Sequence, residues 1–279
     1  SLVKRKEIVS MIIKFLIILG IIYAGILLFF YVFQHYFFFR PEVLPHDFQY
    51  KYPFPFEELH FKMEDGGMIN GIHFKIPNAL GVVFFLKGNS KSVKGWGKFA
   101  KDYVGKGYDF FMVDYRGFGK SKGRRSEAVL YSDAQFLYKK LLEQYDEDQV
   151  VILGRSFGSG IAARIASWNN PKMLILDSPY YSFNFNMKRW GFWIPIDLLS
   201  RYKIPTFQFL KNVNCPIHII HGDKDRLISY RQGVKLYEEN EDRATLYTIN
   251  GGSHNDLPEF SEFHEFLYDI LVEQVYESA

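Results

Sequence analysis

The chain has 279 residues, of which 48% are hydrophobic and 23% are charged, enough for one large domain or two small ones with a packed core. Its formal net charge is only +3, which excludes the strongly basic character of a nucleic-acid-binding protein. The single cysteine, Cys215, excludes an internal disulfide and a cysteine-based zinc cluster. We expect Cys215 to be a buried apolar residue.

The N-terminal segment is apolar and carries no charge over residues 15–33. Together with residues 11–13 it is long enough to span the hydrocarbon core of a bilayer, and Lys14 can extend its ammonium group to the headgroups. A buried core helix and a secretory signal peptide are the alternatives. A signal peptide should be followed by small residues, whereas the aromatic sequence QHYFFF follows here, as is typical of a membrane interface. We therefore predict a transmembrane anchor over residues 1–39.

The charges around this segment predict its orientation. Lys4, Arg5 and Lys6 precede it, and only Arg40 follows closely. Because positive charge is retained on the cytoplasmic side, we expect a cytoplasmic N-terminus and a single-pass topology. The rest of the chain would then be periplasmic or extracellular in a bacterium, or lumenal in a eukaryote.

Residues 40–57 are rich in proline and aromatic residues and predict a linker packed along a domain that covers residues 58–279. Strand-like and helix-like segments alternate in that domain, and the early strands have no helix between them, so they should pair antiparallel. The later strands are continuous apolar runs, as in a parallel sheet covered on both faces. The predicted strands are 58–62, 69–76, 81–86, 109–115, 150–153, 173–176, 217–220 and 244–249. The predicted helices are 92–105, 126–145, 157–168, 229–239 and 258–275.

A G-x-S-x-G motif stands where one of these strands meets a helix. It reads GRSFG, with Ser156 at its centre, between the predicted strand 150–153 and the predicted helix 157–168. A tight turn of this kind requires small residues on both sides of the serine and lifts its hydroxyl above the sheet. The motif alone is weak, but its context predicts that Ser156 is a nucleophile.

A nucleophilic serine needs a base, and the base needs an orienting acid. Two polar turns follow later strands: the first contains aspartates and the second a histidine. In folds where the nucleophile lies in such a strand–turn–helix, the catalytic residues follow one another along the chain in the order serine, acid, histidine. We expect His254 to be the base and Asp225 the acid, with Asp223 as the alternative. His218 is predicted to be a packed strand residue, and His221 to support the turn.

An acyl-transfer site also needs two N–H donors for the developing oxyanion. The amide of Phe157 is one candidate, because it follows the nucleophile directly. The loop after the strand 81–86, with the sequence KGNS, should provide the second donor. We favour the amide of Asn89, with that of Ser90 as the alternative. A simple turn between strand and helix is compatible with the same sequence.

Four ordered motifs together resemble the α/β-hydrolase superfamily, from about residue 59 to the C-terminus: KGN, DYRGFGKSKG, GRSFGSG, and HGDKDRLI with GGSHND. The chain is most similar to an N-terminally membrane-anchored branch with a small lid, which includes bacterial anchored hydrolases and depalmitoylase-like proteins. This resemblance implies an α/β-hydrolase fold with a mostly parallel, eight-stranded sheet flanked by helices. It also implies that Asp225 is the acid. Lys87 stands where relatives usually have a histidine, which affects the oxyanion loop and not the triad.

The aromatic segment 180–210 interrupts the alternation and takes the place of the lid. Its apolar residues could line an acyl pocket or pack on the domain: Phe183, Phe185, Trp190, Phe192, Trp193, Ile194 and Leu198. We therefore expect a membrane-anchored serine hydrolase that cleaves fatty-acyl esters or thioesters of lipids, small molecules or proteins, without a metal or organic cofactor. A serine peptidase or amidase, and a catalytically silent anchored scaffold, are the alternatives.

Overall fold

The computed structural model describes residues 2–188, 191 and 193–273. It begins with one long helix, α1 (Leu2–Phe38). Within residues 4–38 of this helix, an 18-residue window has a mean hydropathy of 2.7, and only 6% of that window is buried. In length and composition this helix could cross a membrane, because its surface is apolar and has almost no protein partner.

An eight-stranded sheet follows, in the order β1-β2-β4-β3-β5-β6-β7-β8. β1 pairs antiparallel with β2, and β2 pairs antiparallel with β4, while all other neighbours are parallel. This confirms the prediction of an antiparallel start and a parallel remainder. The strands are β1 (Phe56–Lys62), β2 (Met68–Phe74), β3 (Val82–Leu86), β4 (Asp109–Val113), β5 (Val150–Arg155), β6 (Met173–Asp177), β7 (Ile217–Gly222) and β8 (Ala244–Ile249).

The central strands are buried on both faces, which explains their continuous apolar sequences. In β3, Val82, Phe84 and Leu86 belong to one hydrophobic core, and Val83 and Phe85 belong to a second core on the other face. Alternate side chains of a strand point to opposite faces. The helices therefore cover both sides of the sheet, and the polar ends of the strands remain at its edge.

The helices lie where the sequence predicts them, but several are shorter than the predicted segments. They are α2 (Val93–Trp96), α3 (Ala100–Val104), α4 (Glu127–Leu141), α5 (Phe157–Trp168), α6 (Phe183–Met187), α7 (Ile196–Leu199), α8 (Thr206–Leu210), α9 (Tyr230–Glu238) and α10 (Ser261–Tyr268). The predicted helix 92–105 is two short helices joined by a 3₁₀ turn. The break falls at Gly97, where a Cβ atom would lie 2.1 Å from the ring of Tyr52.

The predicted helix 258–275 was also too simple. A 3₁₀ turn (Leu257–Glu259) comes first, Phe260 is extended, and α10 ends in a π-helical turn (Asp269–Glu273). Pro258 lies in the first turn of the 3₁₀ segment, where its missing N–H costs nothing. Residues 274 and 275 lie outside the described residues.

The segment between α1 and β1 runs along the domain. Arg40 forms an isolated bridge with Ser90, and Val43 forms one with Gly119. Phe38 and Phe39, at the end of α1 and just after it, are each only 2% exposed and belong to the core of the domain. The end of α1 is thus packed into the folded domain, although the sequence predicts a separate anchor up to residue 39.

Candidate active site

Ser156 lies in a sharp turn between β5 and α5. Its backbone has φ 52° and ψ −119°, a conformation that is strained for a residue with a side chain. The flanking glycines are required by space: a Cβ at Gly158 would lie 1.9 Å from the carbonyl oxygen of Leu86, and one at Gly154 would lie 2.5 Å from Cβ of Ala162. The turn therefore has the geometry that the G-x-S-x-G motif predicts.

Three of the predicted site residues form a continuous chain of hydrogen bonds. His254 Nε2 lies 2.9 Å from Ser156 Oγ. His254 Nδ1 lies 2.7 Å from Asp225 Oδ2. An ionised carboxylate can only accept, so Nδ1 carries the ring proton and Nε2 is free to accept the proton of the serine hydroxyl. Such an arrangement can activate a serine for attack on an acyl carbon.

Asp225 is held from several sides. Its Oδ1 atom accepts hydrogen bonds from the backbone N–H groups of Leu227 and Ile228, at 2.8 Å each. Its Oδ2 atom also lies 3.3 Å from Nε2 of His221. Burial alone would raise the pKa of the Asp225 carboxyl group, but hydrogen bonds from His221 and His254 lower it below the ordinary value. The acid is therefore ionised and oriented by its own turn.

Asp223, the alternative acid, lies elsewhere. Its Oδ1 atom accepts a hydrogen bond of 2.7 Å from the backbone N–H of Gly251, so it stabilises the loop that carries His254. Of the other histidines, His218 is a buried residue of β7 whose ring lies 3.2 Å from the hydroxyl of Tyr247. His221 contacts the carbonyl oxygen of Ile228 at 3.0 Å. Both have the supporting positions that the sequence predicts.

Arg155 is a site residue that the sequence analysis missed. Its guanidinium group donates to the carbonyl oxygen of His254 at 3.2 Å and lies 3.4 Å from the carboxylate of Asp177. It thus ties the nucleophile turn to the histidine loop. The variable position before the serine gives no sequence signal for this contact, because its partners are distant along the chain.

The loop after β3 lies beside Ser156, as expected for an oxyanion loop. A Cβ atom at Gly88 would be 3.8 Å from Cβ of Ser156. Asn89 accepts a hydrogen bond from the backbone N–H of Arg40, and its side-chain amide donates to the carbonyl oxygen of Phe38. The loop is therefore held by the residues that end α1.

Lys87 does not add charge to the pocket. Its ammonium group is fully buried, 3.5 Å from the carboxylate of Asp114, and it donates to the carbonyl oxygens of Ser90 and Lys91. Burial lowers the pKa of Lys87 and raises that of Asp114. Lys87 thus stabilises the conformation of the β3 loop through its backbone carbonyl groups and does not face the pocket.

A cavity of about 390 Å³ opens at Ser156. Its walls come from the β3 loop, the nucleophile turn, the histidine loop, the lid (residues 180–210) and the end of α1. Phe183 and Met187 of α6 line it, as do Phe37, Phe38 and Arg40. Phe185, Trp193 and Leu198 are exposed, and Ile194 packs partly buried against the core. Trp190 and Phe192 lie outside the described residues.

The fold has close parallels among solved structures. It resembles an esterase from Pyrococcus furiosus with a TM-score of 0.66 at 18% sequence identity, over 85% of this chain and 98% of that chain. An alpha-beta hydrolase from Vibrio vulnificus gives a TM-score of 0.63 at 22% identity, over 80% and 81% of the two chains. The family Hydrolase_4 (Serine aminopeptidase, S33) matches residues 77–210. The chain has the α/β-hydrolase fold.

Two animal proteins are also similar in sequence to this α/β-hydrolase. It is 30% identical over 184 residues to the Lysophosphatidylserine lipase ABHD12 of Danio rerio, over 58% of this chain and 47% of that protein. It is 26% identical over 209 residues to Alpha/beta hydrolase domain-containing protein 17B of Homo sapiens, over 71% of this chain and 69% of that protein. The hydrolase thus matches about half the length of the first relative.

Proposed function

We propose that this α/β-hydrolase is a membrane-anchored serine hydrolase that cleaves carboxylic esters or thioesters, with a fatty-acyl group as the acyl part. The observation that carries the proposal is the hydrogen-bonded series Ser156, His254 and Asp225 at the base of an aromatic pocket. The lipase name of the zebrafish relative supports an acyl-lipid substrate.

In the proposed reaction, His254 Nε2 takes the proton of Ser156 as Oγ attacks the acyl carbonyl carbon. The amides of Phe157 and Asn89 donate to the oxygen that becomes negative. The bond to the alcohol or thiol then breaks, and His254 gives its proton to that leaving group. Water next attacks the acyl-Ser156 ester, again losing its proton to His254, and the fatty acid leaves as Ser156 regains its hydrogen. Asp225 holds the ring in the required tautomer throughout.

We also propose that α1 anchors the enzyme in the membrane, with residues 40–57 as a linker to a catalytic domain of residues 58–279. The charge pattern supports a cytoplasmic N-terminus and an extracytoplasmic or lumenal catalytic domain. Retention of the protein in the membrane after alkaline carbonate washing tests the anchor. Release into the supernatant would contradict it.

The first experiment is labelling of the detergent-solubilised protein with a fluorescent fluorophosphonate, beside the variants Ser156→Ala and His254→Ala. We expect the wild type to be labelled and both variants to remain unlabelled. A folded wild type without label would contradict the hydrolase proposal and favour a silent, membrane-anchored binding scaffold.

The family description, Serine aminopeptidase, favours amide hydrolysis as a second candidate. Ester, thioester and amide substrates with the same acyl chain separate the two candidates by whether the amide is cleaved. We expect turnover of the ester and thioester and no measurable cleavage of the amide. Sustained turnover of the amide would favour the peptidase or amidase.

A further inference from the structure

The lid is hydrogen-bonded to the apolar part of α1. The hydroxyl of Tyr23 donates to the carbonyl oxygen of Trp193 at 2.6 Å. Tyr23 lies inside the uncharged stretch 15–33 and precedes its end by ten residues, which is about 15 Å along a helix. The lid tip, residues 193–199, therefore lies beside the part of α1 that would cross the bilayer.

A second contact joins the lid to α1 near the end of the uncharged stretch. Gln34 is fully buried. Its side-chain amide donates to the carbonyl oxygen of Leu199 at 3.1 Å and accepts from the backbone N–H of Arg201 at 2.7 Å. Polar side chains are rare on this apolar helix, and Tyr23 and Gln34 both satisfy backbone groups of the lid.

Hydrogen bonds of this kind are required where water is scarce, because an unpaired backbone group in lipid is costly. A backbone hydrogen bond within the lid adds to these contacts: the N–H of Ser200 donates to the carbonyl oxygen of Ile196 at 2.8 Å. Two of the lid's charged residues, Lys188 and Asp197, pair with each other at 2.6 Å. Some of the polar groups at the lid tip are thus paired within the protein.

The lid also exposes three large apolar side chains. Leu198 is 80% exposed, Phe185 is 51% exposed and Trp193 is 49% exposed. Exposed apolar groups that cluster in one segment mark a contact surface, and tryptophan is enriched at membrane interfaces. These side chains lie next to the apolar surface of α1. We therefore expect the lipids of one leaflet to contact both the lid and α1.

We propose that the lid tip is a second membrane-contacting element and that acyl chains enter the pocket from the bilayer, between α1 and the lid. Phe38 on α1 and Phe183 on the lid both line the pocket, and their rings are 5.1 Å apart. The substrate class is then an acyl ester or thioester held in the membrane. This inference rests on the anchored hydrolase proposed above.

The position of the lid tip can be measured directly. Leu198→Cys in a Cys215→Ala background is labelled with an environment-sensitive fluorophore, and the full chain is reconstituted into phosphatidylcholine vesicles. The control is Leu80→Cys, since Leu80 is 46% exposed and precedes β3 at the edge of the sheet opposite the site. We expect spin-labelled lipids to quench the label at 198 and not at 80. Quenching at 198 by aqueous iodide alone would overturn the proposal.

A kinetic experiment tests substrate entry. We expect Leu198→Glu to lose at least about tenfold in hydrolysis of a long-chain fluorogenic ester in vesicles, because a carboxylate is costly in lipid. Its hydrolysis of a water-soluble short-chain ester should be unchanged. Leu80→Glu should alter neither rate.

Equal rates of Leu198→Glu and wild type on the vesicle ester would overturn substrate entry from the bilayer. If the wild type hydrolyses neither ester, the proposed function fails. The quenching experiment then still decides whether the lid tip contacts lipid.

Discussion

Asp225 illustrates how one carboxylate can serve two structural tasks at the residue scale. One oxygen closes the turn by accepting two backbone N–H groups, and the other faces His254. In Asp225→Asn the amide oxygen can keep the turn while the NH₂ group faces His254. The ring would then carry its proton on Nε2 and could not accept the proton of Ser156.

We therefore expect Asp225→Asn to lower kcat for a short-chain ester by about 10³- to 10⁴-fold, with an unchanged midpoint of denaturant unfolding. Asp223→Asn is the matched control, because Asp223 contacts the backbone of Gly251 and not His254. It should lose less than about tenfold. A larger loss for Asp223→Asn would reverse the assignment of the acid.

The positions of Ser156, Asp225 and His254 could be predicted because each motif follows a strand, and strand ends converge at one edge of the sheet. The contacts of Arg155 and Lys87 could not. Each depends on a partner that only the folded chain brings near: His254 for Arg155, and Asp114 for Lys87. Neither residue type indicates such a partner by itself.

At the scale of single elements, α4 shows how a local signal places a helix end. Ser126 has an extended backbone, and its hydroxyl accepts a hydrogen bond from the N–H of Val129 at 3.2 Å. This N-cap satisfies one of the unpaired N–H groups of the first turn. The predicted start of the helix was correct for this reason.

We expect Ser126→Ala to lower the free energy of unfolding by about 1 kcal/mol, measured by denaturant unfolding in detergent. Ser132→Ala is the control in the same helix, since the hydroxyl of Ser132 is exposed and bonds only the carbonyl oxygen of Val129. Its effect should be within a few tenths of a kcal/mol. Equal losses for the two variants would contradict the capping role.

The elements whose ends were predicted poorly are those controlled by distant contacts. Between α2 and α3 the 3₁₀ turn begins at Gly97, where the ring of Tyr52 leaves no room for a side chain. Tyr52 lies in the predicted linker, so the helical periodicity of residues 92–105 contains no trace of it. By contrast, β8 was predicted with its observed bounds. Residues typical of turns flank it on both sides, and residues typical of strands lie between them.

At the scale of the whole molecule, burial of neutral histidines makes stability depend on pH. Burial lowers the pKa of His73 and of His218 to about 4. Between pH 4 and 6.5 the unfolded chain binds protons that the folded chain excludes. The free energy of unfolding should therefore fall as the pH is lowered from about 6.5 towards about 4.

We expect the variant His73→Gln/His218→Gln to have a shallower pH dependence than the wild type, by up to about 1.4 kcal/mol per pH unit for each histidine. Denaturant unfolding in detergent at a series of pH values measures this difference. Asp114, whose pKa burial raises to about 6, contributes with the opposite sign in both proteins and cancels. The exposed His46→Gln should behave as the wild type. Parallel curves for the double variant would contradict the prediction.

The junction between α1 and the rest of the chain has a practical consequence for work with shortened versions of this protein. A soluble form that starts at residue 40 would lose Phe38 and Phe39, which are buried in the domain core. Each buried phenylalanine contributes roughly 2 kcal/mol or more, and the β3 loop would lose the carbonyl group that binds Asn89. A shortened enzyme should therefore keep the last turns of α1, from about Phe30 onwards, with its outward-facing apolar residues made polar.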